Sequence, residues 1–163
     1  MSKILFPIFL FCGLIVVMSG CRSTKIEDPH VPTISLEAAG SVPGEEHPYV
    51  TLPISETRLR VFSKPVFGPA DIIRIEMVQV ERGLAVRYLL KPSAARELIR
   101  SSGDNLGYSY IFFDNDTAIG ARKIDGMIND GILYTFLEVP DDELPELVAD
   151  MNRTLVEYRR NSW

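Results

Sequence analysis

Histidine, cysteine and serine are the residues of this 163-residue chain that could do nucleophilic, acid–base or metal chemistry, and their spacing decides which. His30 and His47 are its only histidines, both in a proline-rich stretch, and no cysteine is free to join them. Zinc sites draw their ligands from compact His and Cys sets, so no metal centre is expected. Ser93, Ser101, Ser102 and Ser109 have no histidine anywhere in the expected body, residues 49–163, so a serine triad has no general base. Asp114-Asn115-Asp116 supplies the opening acids of a calcium loop, but the glycine and the distal glutamate are not at the required offsets. A hairpin turn is the expected reading. Gly103, Gly107, Gly126 and Gly131 are dispersed singly and form no phosphate-cradling loop. Paired carboxylates could still catalyse, but sequence alone cannot bring two of them together in space, and the chain reads as non-enzymatic, with no cofactor.

One reactive group remains, the thiol of Cys21. A lone charge, Lys3, precedes the uncharged apolar run Ile4 to Val17, which is the pattern of a secretory signal. The run is short for a permanent membrane-spanning helix. Small residues then lead directly into a cysteine, and Met18-Ser19-Gly20-Cys21 resembles the lipobox of bacterial lipoproteins, with Met18 where leucine is commoner. That resemblance implies cleavage between Gly20 and Cys21, acyl chains such as palmitate on Cys21, and a domain held in the cell envelope on the periplasmic side. Arg22 stands where an aspartate would retain such a protein at the inner membrane, which favours the outer membrane. Cys12 is lost with the signal, so the exported part forms no internal disulfide. The formal charge is −5, and loss of Lys3 makes it more negative still. A chain of that sign has no basic field for phosphate, and nucleic acid is not an expected partner.

The elements that follow would form one domain. Residues 1–20 read as signal peptide and 21–48, with Pro29, Pro32, Pro43, Gly44 and Pro48, as a flexible lipid-anchored linker in which Val31 to Leu36 could instead pair as an edge strand. Residues 49–163 read as the folded body. Arg58 to Phe62 alternates as a half-buried strand, and Ile73, Ile75 and Met77 alternate toward Glu81-Arg82-Gly83 before Leu84 to Leu90 returns as the second arm of a hairpin. Pro92-Ser93 opens a helix whose Ala94, Ala95, Leu98 and Ile99 share a face. Tyr108 to Phe113 and Thr117 to Ala121 flank the Asp-Asn-Asp turn as a second hairpin. Ile124 to Ile128 suggests a short helical turn, Ile132 to Val139 a strong strand, and Leu144, Leu147, Val148, Met151, Leu155 and Tyr158 the apolar stripe of a last helix. The expected class is α+β: a small mixed, mostly antiparallel sheet with helices packed on one face.

Several of these segments together resemble the head of the first periplasmic domain of SecD, a membrane subunit that assists bacterial protein export. They are Val86-Arg87-Tyr88-Leu89-Leu90 with Ser93-Ala94-Ala95, Asn105-Leu106-Gly107 leading into Tyr110-Ile111-Phe112-Phe113, the turn Asp114-Asn115-Asp116, the segment Ile124 to Ile128 with Asp130-Gly131 before a strand, and Glu143-Leu144-Pro145-Glu146-Leu147 opening a helix. SecD proteins carry several spanning helices and use a proton gradient, whereas no second long apolar run occurs here. The resemblance therefore implies a periplasmic module that binds passing or resident polypeptide, alternatively a fixed structural subunit of a membrane assembly. Candidate contact residues are Tyr108, Tyr110 and Phe112, which alternation places on one face of their strand, and Val61, on the first strand, whose free edge could pair with an extended chain.

Overall fold

The computed structural model describes residues 29–38, 40 and 47–161. The expected signal peptide, the lipobox and Cys21 lie outside the described residues. Ten elements follow in order: β1 (Pro32–Leu36), β2 (Tyr49–Thr51), β3 (Arg58–Arg60), β4 (Ile72–Val80), β5 (Gly83–Leu90), α1 (Pro92–Asp104), β6 (Ser109–Asp114), β7 (Thr117–Lys123), β8 (Ile132–Thr135) and α2 (Leu144–Asn161). Every strand pairing is antiparallel, in the orders β1-β6-β7, β2-β3 and β4-β5-β8. The α+β class expected from the sequence is the class observed, divided among three small sheets. A bridge between Gly120 and Leu137 links the two three-stranded sheets. Only glycine serves at that junction: a Cβ on Gly120 would sit 2.9 Å from the Phe136 carbonyl oxygen.

Both large sheets turn one face to a common core. Ile34, Tyr110 and Phe112 from the first, Ile75, Val86, Tyr88 and Leu133 from the second, Leu98 from α1, and Leu144, Met151 and Leu155 from α2 all meet there. Each aliphatic side chain so buried contributes roughly 1.5–3 kcal/mol. The two helices share this side, as the sequence implies. The far face of β6 is covered as well, because Ile111 and Phe113 pack with Leu52, Val61 and Ala118 beneath the β2-β3 ribbon.

Three expectations change. The stretch taken as linker contains β1, which pairs along its whole length with β6 and buries Ile34 completely. Its second side is also taken: the Ile34 N–H donates to the Phe67 carbonyl at 2.8 Å and the Phe62 N–H to the Leu36 carbonyl at 3.0 Å. The packed body therefore begins ahead of Tyr49. Ile124 to Ile128 is not helical, since its backbone bonds elsewhere. The Ile124 carbonyl accepts from the Gly107 N–H, the Ile124 N–H donates to the Tyr108 carbonyl, and the Ile128 N–H donates to Ser102 Oγ. The last strand is also shorter than Ile132 to Val139: β8 ends at Thr135, and the chain beyond it crosses to β7, where the Glu138 N–H donates to the Ile119 carbonyl at 2.6 Å.

A candidate partner-binding edge

Ser101, Ser102 and His30 are engaged in holding the fold together. Ser101 Oγ lies 2.6 Å from the hydroxyl of Tyr110 on β6, and Ser102 Oγ accepts the Ile128 N–H at 2.9 Å, so one serine holds α1 to the sheet and the other to the segment between β7 and β8. Among the described residues no group of three or more His, Cys, Asp or Glu side chains is placed to hold a metal ion. His30 lies in the packed body, with Nδ1 2.6 Å from Asp114 Oδ2. Asn115 stands at positive φ in the turn and reaches Val31 through both its backbone and its side chain. The Asp-Asn-Asp turn thus closes the β6-β7 hairpin, as expected, and also fastens the start of β1. Burial, and after it the charge of Asp114, pushes the phenol of Tyr88 above the ordinary tyrosine range, so that group stays neutral. On Glu138, burial alone would raise the carboxyl. Hydrogen bonds from Ser55 and from the Ile54 and Ser55 N–H groups outweigh it and bring the carboxyl below the usual value.

The candidate contact residues Tyr108, Tyr110 and Phe112 do not make an exposed face. Tyr110 and Phe112 share a face, as alternation requires, but that face is the main core and both are fully buried. Only Tyr108, which precedes the strand, is accessible, at 36%. Val61 is buried as well, and its N–H donates to the Pro48 carbonyl at 3.0 Å, while the Arg60 carbonyl accepts from Ala38. The strand that carries Val61 is therefore closed on its second side and is not the free edge.

The open edge belongs to β4. This nine-residue strand pairs with β5 alone, in a hairpin whose two-residue turn makes Val80 and Gly83 the closing pair. Antiparallel ladders alternate between residues that bond their partner and residues whose N–H and C=O point away. Counting back from Val80, the residues pointing away are Gln79, Met77 and Ile75. Ile75 is satisfied by the side chain of Asn152 on α2, which accepts its N–H at 3.0 Å and donates to its carbonyl at 2.8 Å. Among the described residues no hydrogen-bond partner takes the outward backbone groups of Met77 or Gln79. Arg74, Glu76 and Arg87 form an ion-paired cluster on the opposite face of the strand, with Arg87 held further into its charged form by Glu76.

This order of strands and helices can be compared with known proteins. No family model matches the chain, and no curated protein matches it. Solved structures do match, among them two of SecDF. One is the crystal structure of SecDF in its super-membrane-facing form, with a TM-score of 0.58 and 14% identity over 77% of this chain and 19% of that one. The fold is shared with SecDF. The other is SecDF described as a membrane component that enhances protein export, again at a TM-score of 0.58 and 14% identity, over 78% of this chain and 63% of that one. The chain thus spans less than two thirds of either SecDF structure, and what is common is the fold of that part of SecDF. Among the described residues no helix is long and apolar enough to cross a membrane.

The sequence singled out neither Met77 and Gln79 as an edge nor Asn152 as its partner. A signal for the first was present in the hairpin itself, because an outermost arm of regular alternation has one side to spare. Asn152 carried no signal, being one polar residue beside the apolar stripe of a helix.

Proposed function

We propose that this chain is a lipid-anchored protein of the bacterial envelope, at the outer membrane, whose SecD-like domain is a non-enzymatic module that binds extended segments of exported or envelope polypeptide. The open edge of β4 carries this reading. A strand edge supplies affinity through backbone hydrogen bonds and is nearly indifferent to sequence, which suits a binder of many unfolded chains. SecDF is described as enhancing protein export, and a module of the same fold on a lipid tether is suited to a related task. The acidic charge favours cationic segments, an attraction that salt screens.

The test is titration of the full chain in detergent with ribonuclease A, either native or reduced and alkylated. The unfolded form should bind more tightly. Met77→Pro should weaken that binding about tenfold by removing an outward donor and crowding the edge, with little change in melting, because the Met77 N–H takes no part in the β4-β5 ladder. Equal affinity for the two forms of ribonuclease would move the assignment to the fixed structural subunit. An observation that suits that second reading is the groove of about 540 Å³ between the β4-β5 turn and β7-β8, where Tyr134 and Phe136 are exposed beside Arg82 and Arg122.

The anchor is tested separately. Cys21→Ser should abolish incorporation of labelled palmitate and leave an uncleaved precursor. Stable attachment needs more than one acyl chain, since a single chain binds membranes only marginally. Equal label in both proteins would sink the lipoprotein assignment.

A further inference from the structure

We infer that Asn152 is a built-in stop on the β4 edge: its carboxamide stands in for one peptide group of a paired strand and so fixes how far along β4 a partner can pair. The inference rests on the reading of β4 as a docking edge. The geometry is that of strand addition at a single residue, with the Ile75 N–H donated to Oδ1 at 3.0 Å and the Ile75 carbonyl accepting from Nδ2 at 2.8 Å. The amide is held in place. Its second Nδ2 hydrogen goes to the Val148 carbonyl one turn back along α2, also at 2.8 Å, which uses both of the donors an asparagine has. The helix is pinned in turn by Leu144, Val148, Met151 and Leu155 in the main core. Asn152 therefore cannot leave Ile75 by a simple rotamer change without stranding the groups it satisfies.

The consequence is a limit on the partner. With Ile75 occupied, an incoming strand finds only the outward groups of Met77 and Gln79, which suits an extended segment of roughly five residues. Met77 is 37% exposed on the face that continues the core side of the strand, so the segment should carry an apolar residue opposite it. A long unshielded edge also invites pairing between copies of the same chain, and a polar side chain seated on it shortens what is on offer.

Amide hydrogen exchange on the full chain, with and without reduced and alkylated ribonuclease A, reads the stop directly. In the free wild-type protein Ile75 should exchange slowly while Met77 and Gln79 exchange fast. The ribonuclease chain should slow Met77 and Gln79 and leave Ile75 as it was. In Asn152→Ala, Ile75 should become fast in the free protein and slow in the complex, with affinity raised about tenfold by the added pairing. Asn152→Ser, whose side chain is too short to reach both Ile75 groups, takes its place should the alanine variant fail to fold. Unchanged Ile75 exchange in the variant, or the same affinity and the same protected amides in both proteins, would overturn the inference. If neither protein binds the ribonuclease chain, the docking function fails and the stop is decided by sedimentation. Concentration-dependent dimers of Asn152→Ala that Met77→Pro abolishes support it, and a variant that stays monomeric overturns it.

Discussion

A fragment beginning at Tyr49 will not fold to a stable domain, whereas one beginning at Arg22 will. The first lacks β1, which fills the space between β6 and the segment around Phe67. Ile34 and Leu36 belong to the main core, and emptying sites of that kind costs about 2–5 kcal/mol each. To this is added the backbone of β6, which loses its partner from Tyr110 to Asp114. A domain of this size has only about 5–15 kcal/mol in total, so the sum takes most or all of it. Far-ultraviolet circular dichroism against temperature checks the expectation. A cooperative melt of the Tyr49 fragment within a few degrees of the longer one would show that β1 is an ornament on an independent body.

The reason β1 is hard to read from sequence is physical. Pro32-Thr33-Ile34-Ser35-Leu36 is short, lies in a proline-rich stretch, and alternates over only four residues, too few to stand out from a loop. Its place is settled by β6, some eighty positions further on, and a pairing over that distance leaves no local mark. The β4-β5 hairpin and α2 are legible because their signals are local: alternation through a tight turn in one, spacings of three and four in the other. Tyr110 and Phe112 show the limit of such patterns. Period two correctly separates them from Ile111 and Phe113, but it cannot say that the far face of β6 is roofed by the β2-β3 ribbon, which leaves neither set exposed.

The same distinction governs the candidate site. An edge is defined by which neighbour is missing, and that is a property of the whole sheet order. Arg58 to Phe62 has the composition of an edge strand, yet Val61 and Phe62 are bonded to Pro48 and Leu36. β4 has a similar composition and stays open, because both of its chain neighbours are placed elsewhere: β5 lies on its other side, and the preceding segment turns away at Phe67 to bridge β1. Asn152 completes the site from a helix nearly eighty residues away in sequence.

Substitution along α2 will separate the part of its stripe that carries the fold from the part that does not. Leu155 is fully buried in the main core, and Leu155→Ala should cost about 2–5 kcal/mol, depending on how far the surroundings collapse into the space left. Leu147 is only partly buried and packs against the margin of that core, so Leu147→Ala should cost less. Sequence spacing gives the two residues equal weight, since both lie on the same stripe. The structure ranks them through the crossing of α2 over β4, which brings the face of Leu144, Val148, Met151 and Leu155 inward. Leu155→Ala should also loosen Asn152, because the helix that carries the amide is held by the residue one turn nearly above it. Ile75 should then exchange faster in that variant by local opening, beyond any change in global stability. Denaturant melts of the two variants beside the wild type give the ranking. An equal loss in both, or no loss at Leu155, would mean that α2 does not sit on the sheet with that face inward.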